Sequence, residues 1–477
     1  NVARNNRELK GNSSEERFHF FCKLSLKKDK LISIYEKYPV LARLLSVSAI
    51  NFINNITEFF DRFFLYKSEL SELLNCTCDF SVSNITVGKG DTHQNGKCVY
   101  EVELSNGACL MYKPKDLRIV PVYNKIITWL NTKDLLYMDN ISGLYFEDFA
   151  FEVKINPYSC TTKSQVSSYY ERFGQLLGIM YILKANDLHM ENLFACGEQP
   201  IIVDLETLFQ QSIFETNPNQ ITAHELLSME IADSILSTGL IPAKMTDLNI
   251  DLSGLSGDEV ELDRKMEKIV DIGLDTMKIE EETVRLSPAD NIVKLHEKKS
   301  DYKLYNDAIM NGFNAVVKVV ISNRDKFIQL ISKFSGKNVR LLIRNTQNYF
   351  RLLDISYHPS SLMNWLDREN IMQNLFNHII DNAYVNYSEY LDMLKGDIPV
   401  FFQNISKTSI YDSRGISIDN FFKISSYNKV CNNIFKLDNV DLQRAIIKVK
   451  TGKYVTINKR HYDTKLVNDI LQSSKYI

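Results

Sequence analysis

The sequence predicts an α+β protein with a small β lobe, a large helical lobe and flanking helices, and three observations carry that prediction. Cys98-Val-Tyr-Glu-Val-Glu-Leu104 alternates apolar and polar residues, Ser105-Asn106-Gly107 is a hairpin signal, and residues 108–113 return as a second strand ending at Pro114. Residues 167–184 carry Phe173, Leu176, Leu177, Met180 and Leu183 on one helical stripe. After Leu304 the chain reads as long helices to about Leu394. Two lobes invite a cleft between them.

The elements before the β lobe are helical. Phe18, Phe21 and Leu24, then Leu31, Ile34, Tyr35 and Tyr38, keep helical spacing up to a break at Pro39, and residues 41–64 continue in the same manner. Behind the central helix, Asn192-Leu-Phe-Ala-Cys196, a turn at Gly197 and Pro200-Ile-Ile-Val203 read as a hairpin. Residues 214–290 read as charged and helical with irregular breaks, and they are where an activation-loop equivalent is expected. Residues 397–477 mix short apolar segments with turns. The segments expected are a helical part (1–78), a β-rich lobe (79–160), a catalytic and activation region (161–290) and a helical lobe with an extension (291–477).

A length of 477 residues suits one large domain or about three small ones. The net charge of -3 argues against a nonspecific nucleic-acid binder. No apolar run approaches the ~18 residues of a membrane span, the best, residues 44–53, being interrupted by Ser and Asn, and no signal peptide is read. Eight cysteines, none in a C-x-x-C pair, fit free thiols in a reducing cytoplasm. Because the first residue is Asn1, the chain reads as a piece of a longer one.

The chemistry concentrates in Asp187-Leu-His189-Met-Glu-Asn192, followed by Asp204-Leu-Glu206-Thr207 after the short apolar strand. Phosphoryl transfer from ATP needs a carboxylate that orients or deprotonates the acceptor hydroxyl, and oxygen ligands that hold Mg²⁺ against the phosphates. Asp187 and Asn192 are five residues apart and Asp204 closes a strand twelve residues later, the order a kinase catalytic loop requires. Loops are rich in Asp and Asn, so the fragment alone also fits a helix cap and turn. Lys113, at the end of a small-lobe strand, is the candidate cation for the nucleotide phosphates, although a strand-end lysine is more often merely solvated. A G-x-G-x-x-G loop, a Walker A motif and Asp-Phe-Gly are all absent, which excludes an ordinary protein kinase.

Asp-x-His-x-x-Asn is the order seen in lipid kinases related to the phosphoinositide 3-kinases. The longer text Asp187-Leu-His-Met-Glu-Asn-Leu with Asp204-Leu-Glu-Thr-Leu-Phe209 resembles the dehydratase domain of class II lanthipeptide synthetases, the LanM type. Further matches follow in the family's order: Leu9-Lys-Gly11 with Arg17-Phe18, Gly90-Asp-Thr-His93 with Gly96-Lys97, Tyr112-Lys-Pro114, Arg340 with Arg344-Asn-Thr346, Ser356-Tyr-His-Pro359, and Gly396-Asp-Ile-Pro399. They span nearly all of the chain.

The resemblance implies a lipid-kinase-like core that phosphorylates Ser and Thr of a ribosomally made, leader-bearing precursor peptide with ATP and Mg²⁺, then eliminates phosphate to dehydroalanine or dehydrobutyrine. It implies hydroxyl activation by Asp187 and His189, metal ligation by Asn192 and Asp204, a phosphate-transfer role for Glu206 and nucleotide binding by Lys113. For elimination it implies Asp91, His93, Arg340 and Thr346, with Lys97 and Arg344 as weaker candidates. Histidine can carry a proton near neutral pH, and a guanidinium suits a phosphate oxyanion. The family's C-terminal cyclase, with its Cys/Cys/His zinc site, has no counterpart here: Cys431 and His461 stand alone and no zinc site is expected. The cyclase is either separate or missing. A membrane-associated maturation or export complex is compatible with the resemblance, without a membrane segment in the chain itself. A kinase that stops at the phosphopeptide and a non-catalytic leader-binding pseudoenzyme are the alternatives; the set Asp91, His93, Arg340 and Thr346 argues against the first, and Lys113, Asp187, Asn192 and Asp204 against the second.

Overall fold

The computed structural model describes residues 2–213, 232–242, 251–257, 259–373 and 382–437. It is a mixed α and β chain in two compact units, each discontinuous in sequence. One comprises residues 1–55, 258–288 and 346–398; the other comprises 56–257, 289–345 and 399–477. This division cuts across the four consecutive segments expected from the sequence, and it keeps the β-rich and central helical regions within one unit.

In that larger unit, strands β1 Val82–Thr86, β2 Tyr100–Leu104, β3 Cys109–Lys113, β4 Gly143–Tyr145 and β5 Ala150–Val153 form an antiparallel sheet in the order β1-β2-β3-β5-β4. The expected hairpin is β2–β3, in register Tyr100↔Tyr112, with Gly107 at a φ of 84° and the Asn106 side chain accepting from the Ala108 amide at 3.0 Å. Period-2 alternation sends Tyr100, Val102 and Leu104 inward. They meet Phe59 and Phe63, both fully buried and contributed by the helix Pro39–Leu65, with Phe59 and Tyr112 edge to face at 5.1 Å between ring centroids. The preceding helix, Lys28–Lys37, stops at Tyr38 as the break at Pro39 predicts, and Pro39 opens the next, since a missing N–H costs nothing in a first turn. By length and composition alone this 27-residue helix is apolar enough to cross a membrane, because scattered Ser and Asn lower its mean hydropathy too little. Leu45, Ile50, Phe52 and Ile53 on it are exposed.

The helical core of the same unit is built on Lys163–Ile182. Thr162 caps it and forms a capping box with Gln165. The predicted stripe is buried as expected, but so are Arg172 and Gln175, because the helix is enclosed on more than one side. Its closest partner is Asn306–Ser322. A methyl added at Gly174 would lie 2.0 Å from the Ile309 carbonyl oxygen, and one added at Gly312 would lie 1.8 Å from that of Glu171. The two backbones therefore touch, and glycine is required at both positions.

Downstream, β6 Leu193–Cys196 and β7 Gln199–Ile202 form the expected hairpin about Gly197. A second sheet pairs Asn338–Leu341 with Phe401–Asn404, then Ile410–Tyr411 and Ser417–Ile418. Arg340 therefore lies on a strand and not on a helix as expected; four residues of strand are too few to interrupt a helical reading of the flanking sequence.

The smaller unit corrects a second expectation. Within residues 214–290, read as helical, the described residues contain the long antiparallel ribbon Val260–Val270 and Lys278–Leu286. In Lys278–Leu286 charged residues occupy both faces, so neither period stands out. Asp275, at the ribbon's turn, accepts from Arg17 Nε at 2.6 Å and from the Ser14 hydroxyl. Arg368 is fully buried and donates to the Ser356 carbonyl and hydroxyl at 3.1 and 2.6 Å and to the Met393 carbonyl at 3.2 Å. His358 caps the helix Pro359–Met363, and Gly396, at a φ of 93°, ends Ala383–Lys395. The motifs around Ser356 and Gly396 thus have structural work within this unit. Residues 214–231, 243–250 and 438–477, with His461 and part of the expected activation region, lie outside the described residues.

Candidate functional site

The loop after the central helix reverses at Asp187, whose φ is 64°. It is held from three sides. The Asn186 amide donates to the Thr207 carbonyl at 3.0 Å, the Leu188 amide to that of Thr238 at 2.9 Å, and the Met190 amide to that of Leu252 at 3.0 Å. Asn192 Nδ2 donates to the Asp187 carbonyl at 2.7 Å, and the Val203 amide donates to the Asn192 carbonyl at 3.0 Å. That last bond sets Asn192 beside the strand end leading into Asp204. His189 Nδ1 accepts from the Glu191 amide at 3.3 Å, and Nε2 lies 3.5 Å from Asn192 Nδ2 and 3.9 Å from Asp187 Oδ1. Burial raises the Asp187 carboxyl above its ordinary value; His189 and Arg340 pull it down, and Asp204 and Glu206 push it up.

Asp204 and Glu206 are bridged. Lys115 Nζ lies 2.8 Å from Asp204 Oδ2 and 2.9 Å from Glu206 Oε2, while Asp204 Oδ1 accepts from the Glu206 amide at 3.2 Å. Arg340 binds Glu206 twice, through NH1 to Oε1 at 2.8 Å and through its amide to the Glu206 carbonyl at 2.9 Å. Gln210 steadies that strand, donating to the Arg340 carbonyl at 2.6 Å. Burial alone would raise the Glu206 carboxyl, but Lys115 and Arg340 outweigh it and hold it well below the usual carboxylate range. Burial likewise opposes the charge on Lys115, and Asp204 and Glu206 reverse the effect and raise its ammonium.

The structure thus gathers Asp187, His189, Asn192, Asp204, Glu206 and Arg340. Lys113 is close by but differently engaged. Its buried ammonium pairs with Glu152 on β5 at 2.5 Å and donates to the Val203 carbonyl. The cation on the carboxylates is Lys115, which sequence reasoning missed because Pro114 was read as the end of the strand; Lys113-Pro114-Lys115 was the available signal. Asp91 and His93 lie in the loop between β1 and β2, where the His93 and Lys97 backbones pair at 2.9 and 2.8 Å and Lys97 reaches Glu58 at 3.0 Å. Gln94 donates to the Ser413 carbonyl at 2.9 Å. Arg344 follows the Arg340 strand, and Thr346 opens the helix Thr346–Ser356 of the smaller unit.

Asn192 Oδ1 and the Asp204 carboxylate are hard oxygen donors, and the Val203 amide, one residue before Asp204, donates to the Asn192 carbonyl; such a donor set suits Mg²⁺ completed by phosphates and water. No cluster of three or more His, Cys, Asp or Glu side chains suited to a metal occurs among the described residues.

A curated relative, the lacticin 481/lactococcin biosynthesis protein LcnDR2 of Lactococcus lactis subsp. lactis, is 27% identical over 468 residues. The match covers 92% of this chain and 49% of the relative, so the chain spans about half the length of the protein it resembles. Residues 38–404, which include every residue of the network just described, match a protein family described as a domain of unknown function, and the chain belongs to that family, DUF4135.

Proposed function

We propose that this chain acts in lanthipeptide maturation as a dehydratase on a lipid-kinase-like core, phosphorylating Ser and Thr of a leader-bearing precursor peptide and then eliminating the phosphate. The observation that carries the reading is the single network running from Lys115 through Asp204 and Glu206 to Arg340, set against the Asp187 loop. It joins the carboxylates of a phosphoryl-transfer site to a guanidinium suited to a departing phosphate. Similarity to a lacticin biosynthesis protein supports the peptide class of the substrate.

In phosphorylation the peptide hydroxyl oxygen bonds the terminal phosphorus of ATP, the bond to ADP breaks, and Asp187 takes the hydroxyl proton, with the His189 ring beside its carboxylate. Mg²⁺, when bound by Asn192 and Asp204, would neutralise phosphate charge. In elimination the α-proton leaves to a base, for which Asp91 and His93 are the candidates, the Cβ–O bond breaks, and Arg340 supports the leaving phosphate; Thr346 is a further candidate for that step. Eight free cysteines fit a reducing, cytoplasmic setting.

Mass spectrometry of a precursor peptide incubated with the chain, ATP and Mg²⁺ tests the proposal. Loss of water from Ser or Thr is expected. A phosphate adduct that never proceeds would indicate a kinase without elimination. Asp187→Ala and Asp204→Ala should leave the peptide unmodified, and ready phosphorylation by either would sink the kinase assignment.

A further inference from the structure

Two lysines separated by one proline grip successive positions of the segment that enters the site. The Lys115 amide donates to the Lys113 carbonyl at 2.9 Å, closing a tight turn over Pro114. From that turn Lys113 reaches the Val203 carbonyl, and Lys115 reaches the next two acidic side chains. Lys113 is neutralised by Glu152. Lys115 has no carboxylate of its own among these contacts and spends its charge on Asp204 and Glu206.

The two carboxylates differ in how else they are satisfied. Glu206 Oε1 belongs to Arg340, whose backbone amide also donates to the Glu206 carbonyl, so Glu206 keeps a cation whatever Lys115 does. Asp204 Oδ1 takes the Glu206 amide, and Oδ2 takes Lys115 alone among the contacts in this network. Because Oδ1 is already occupied by an amide, Oδ2 is the oxygen left to serve as a ligand for a cation shared with Asn192. An ammonium on four rotatable carbons that keeps Glu206 can leave that oxygen more readily than a planar guanidinium could.

We propose that Lys115 is a positioning residue that acts as the resident cation of the metal seat. It neutralises Asp204 and holds it in its ligating orientation, then yields Oδ2 to the incoming divalent cation while retaining Glu206. The inference rests on the assignment of Asn192 and Asp204 to a metal. It makes Lys115 a competitor for the metal and a stabiliser of the metal-free protein at the same time. A purely structural lysine would be only the second, and a phosphate-binding lysine would be neither.

The test uses the full chain and Mn²⁺ alone as probe, with free Mn²⁺ followed by electron paramagnetic resonance and the thermal midpoint recorded with and without metal. Lys115→Met should bind Mn²⁺ about tenfold or more tightly than the parent, since one competing positive charge has gone. Its midpoint should be lower without metal, and saturating Mn²⁺ should close most of that gap. Lys115→Gln, which keeps a donor but no charge, should behave likewise and covers the case in which the methionine variant does not fold. Lys115→Arg should stay near the parent. Asp204→Asn should lose the site. Unchanged or weaker Mn²⁺ binding by the methionine and glutamine variants, with binding still lost in Asp204→Asn, would overturn the role of Lys115 and leave the metal assignment standing. Equal binding by Asp204→Asn and the parent would overturn the metal assignment and this inference with it.

Discussion

Lys115, Asp204, Glu206 and Arg340 set two cations and two carboxylates in contacts no longer than 2.9 Å, on side chains that solvent reaches only in part. Glu206 is the hinge of this set, and its depressed carboxyl links the site to stability. A carboxyl whose folded value lies below its unfolded one contributes stability that is fully present above the ordinary carboxylate range, about 4.3 for Glu, and is lost as pH falls through the folded value. Urea unfolding across pH 3 to 6 should therefore show a steep acid loss in the parent and a shallower one in Glu206→Gln; equal slopes would place the charge effect elsewhere. Asp187, Asn192 and Asp204 were legible in the sequence because their spacing along one loop and one strand is local. Lys115 was not, because nothing local distinguishes it from Lys113; only the fold decides which of the two meets the carboxylates and which meets Glu152.

At the scale of elements, the contact between Lys163–Ile182 and Asn306–Ser322 depends on two glycines that no helical pattern singles out. Gly312→Ala would drive a methyl into the Glu171 carbonyl, and overpacking of this kind costs about 1–3 kcal/mol or more. Chemical denaturation should show that loss, and a neutral result would mean the helices separate without penalty. The ribbon Val260–Val270 and Lys278–Leu286 is held at its turn by Arg17 and Ser14. Asp275→Ala should free that turn and speed its cleavage under limited proteolysis, whereas an unchanged rate would show the contacts to be incidental. The hairpins about Gly107 and Gly197 were predictable, since turn residues and alternation agree there. The ribbon was not, because charge on both faces erases the period that would reveal it.

For the whole molecule, the proposed reaction has two steps with different needs, and Arg340 joins them. Arg340→Met removes support for a departing phosphate without touching the Asp187 loop directly. It should accumulate phosphopeptide by mass spectrometry, as should Thr346→Ala; normal dehydration by both would overturn their assignment to elimination. The chain spans about half of the lacticin biosynthesis relative, so these experiments also ask whether this half carries both steps.

The sequence by itself determined the hairpins, the central helix and the Asp187–Asn192–Asp204 spacing, because each rests on residues close together along the chain. Only the tertiary structure decided that Arg340 lies on a strand against Glu206, that Lys115 and not Lys113 bridges the carboxylates, and that Gly174 and Gly312 each abut the backbone of the opposite helix. Those pairings span tens to more than a hundred residues, and long-range contacts are set by which faces pack together, which no local periodicity records.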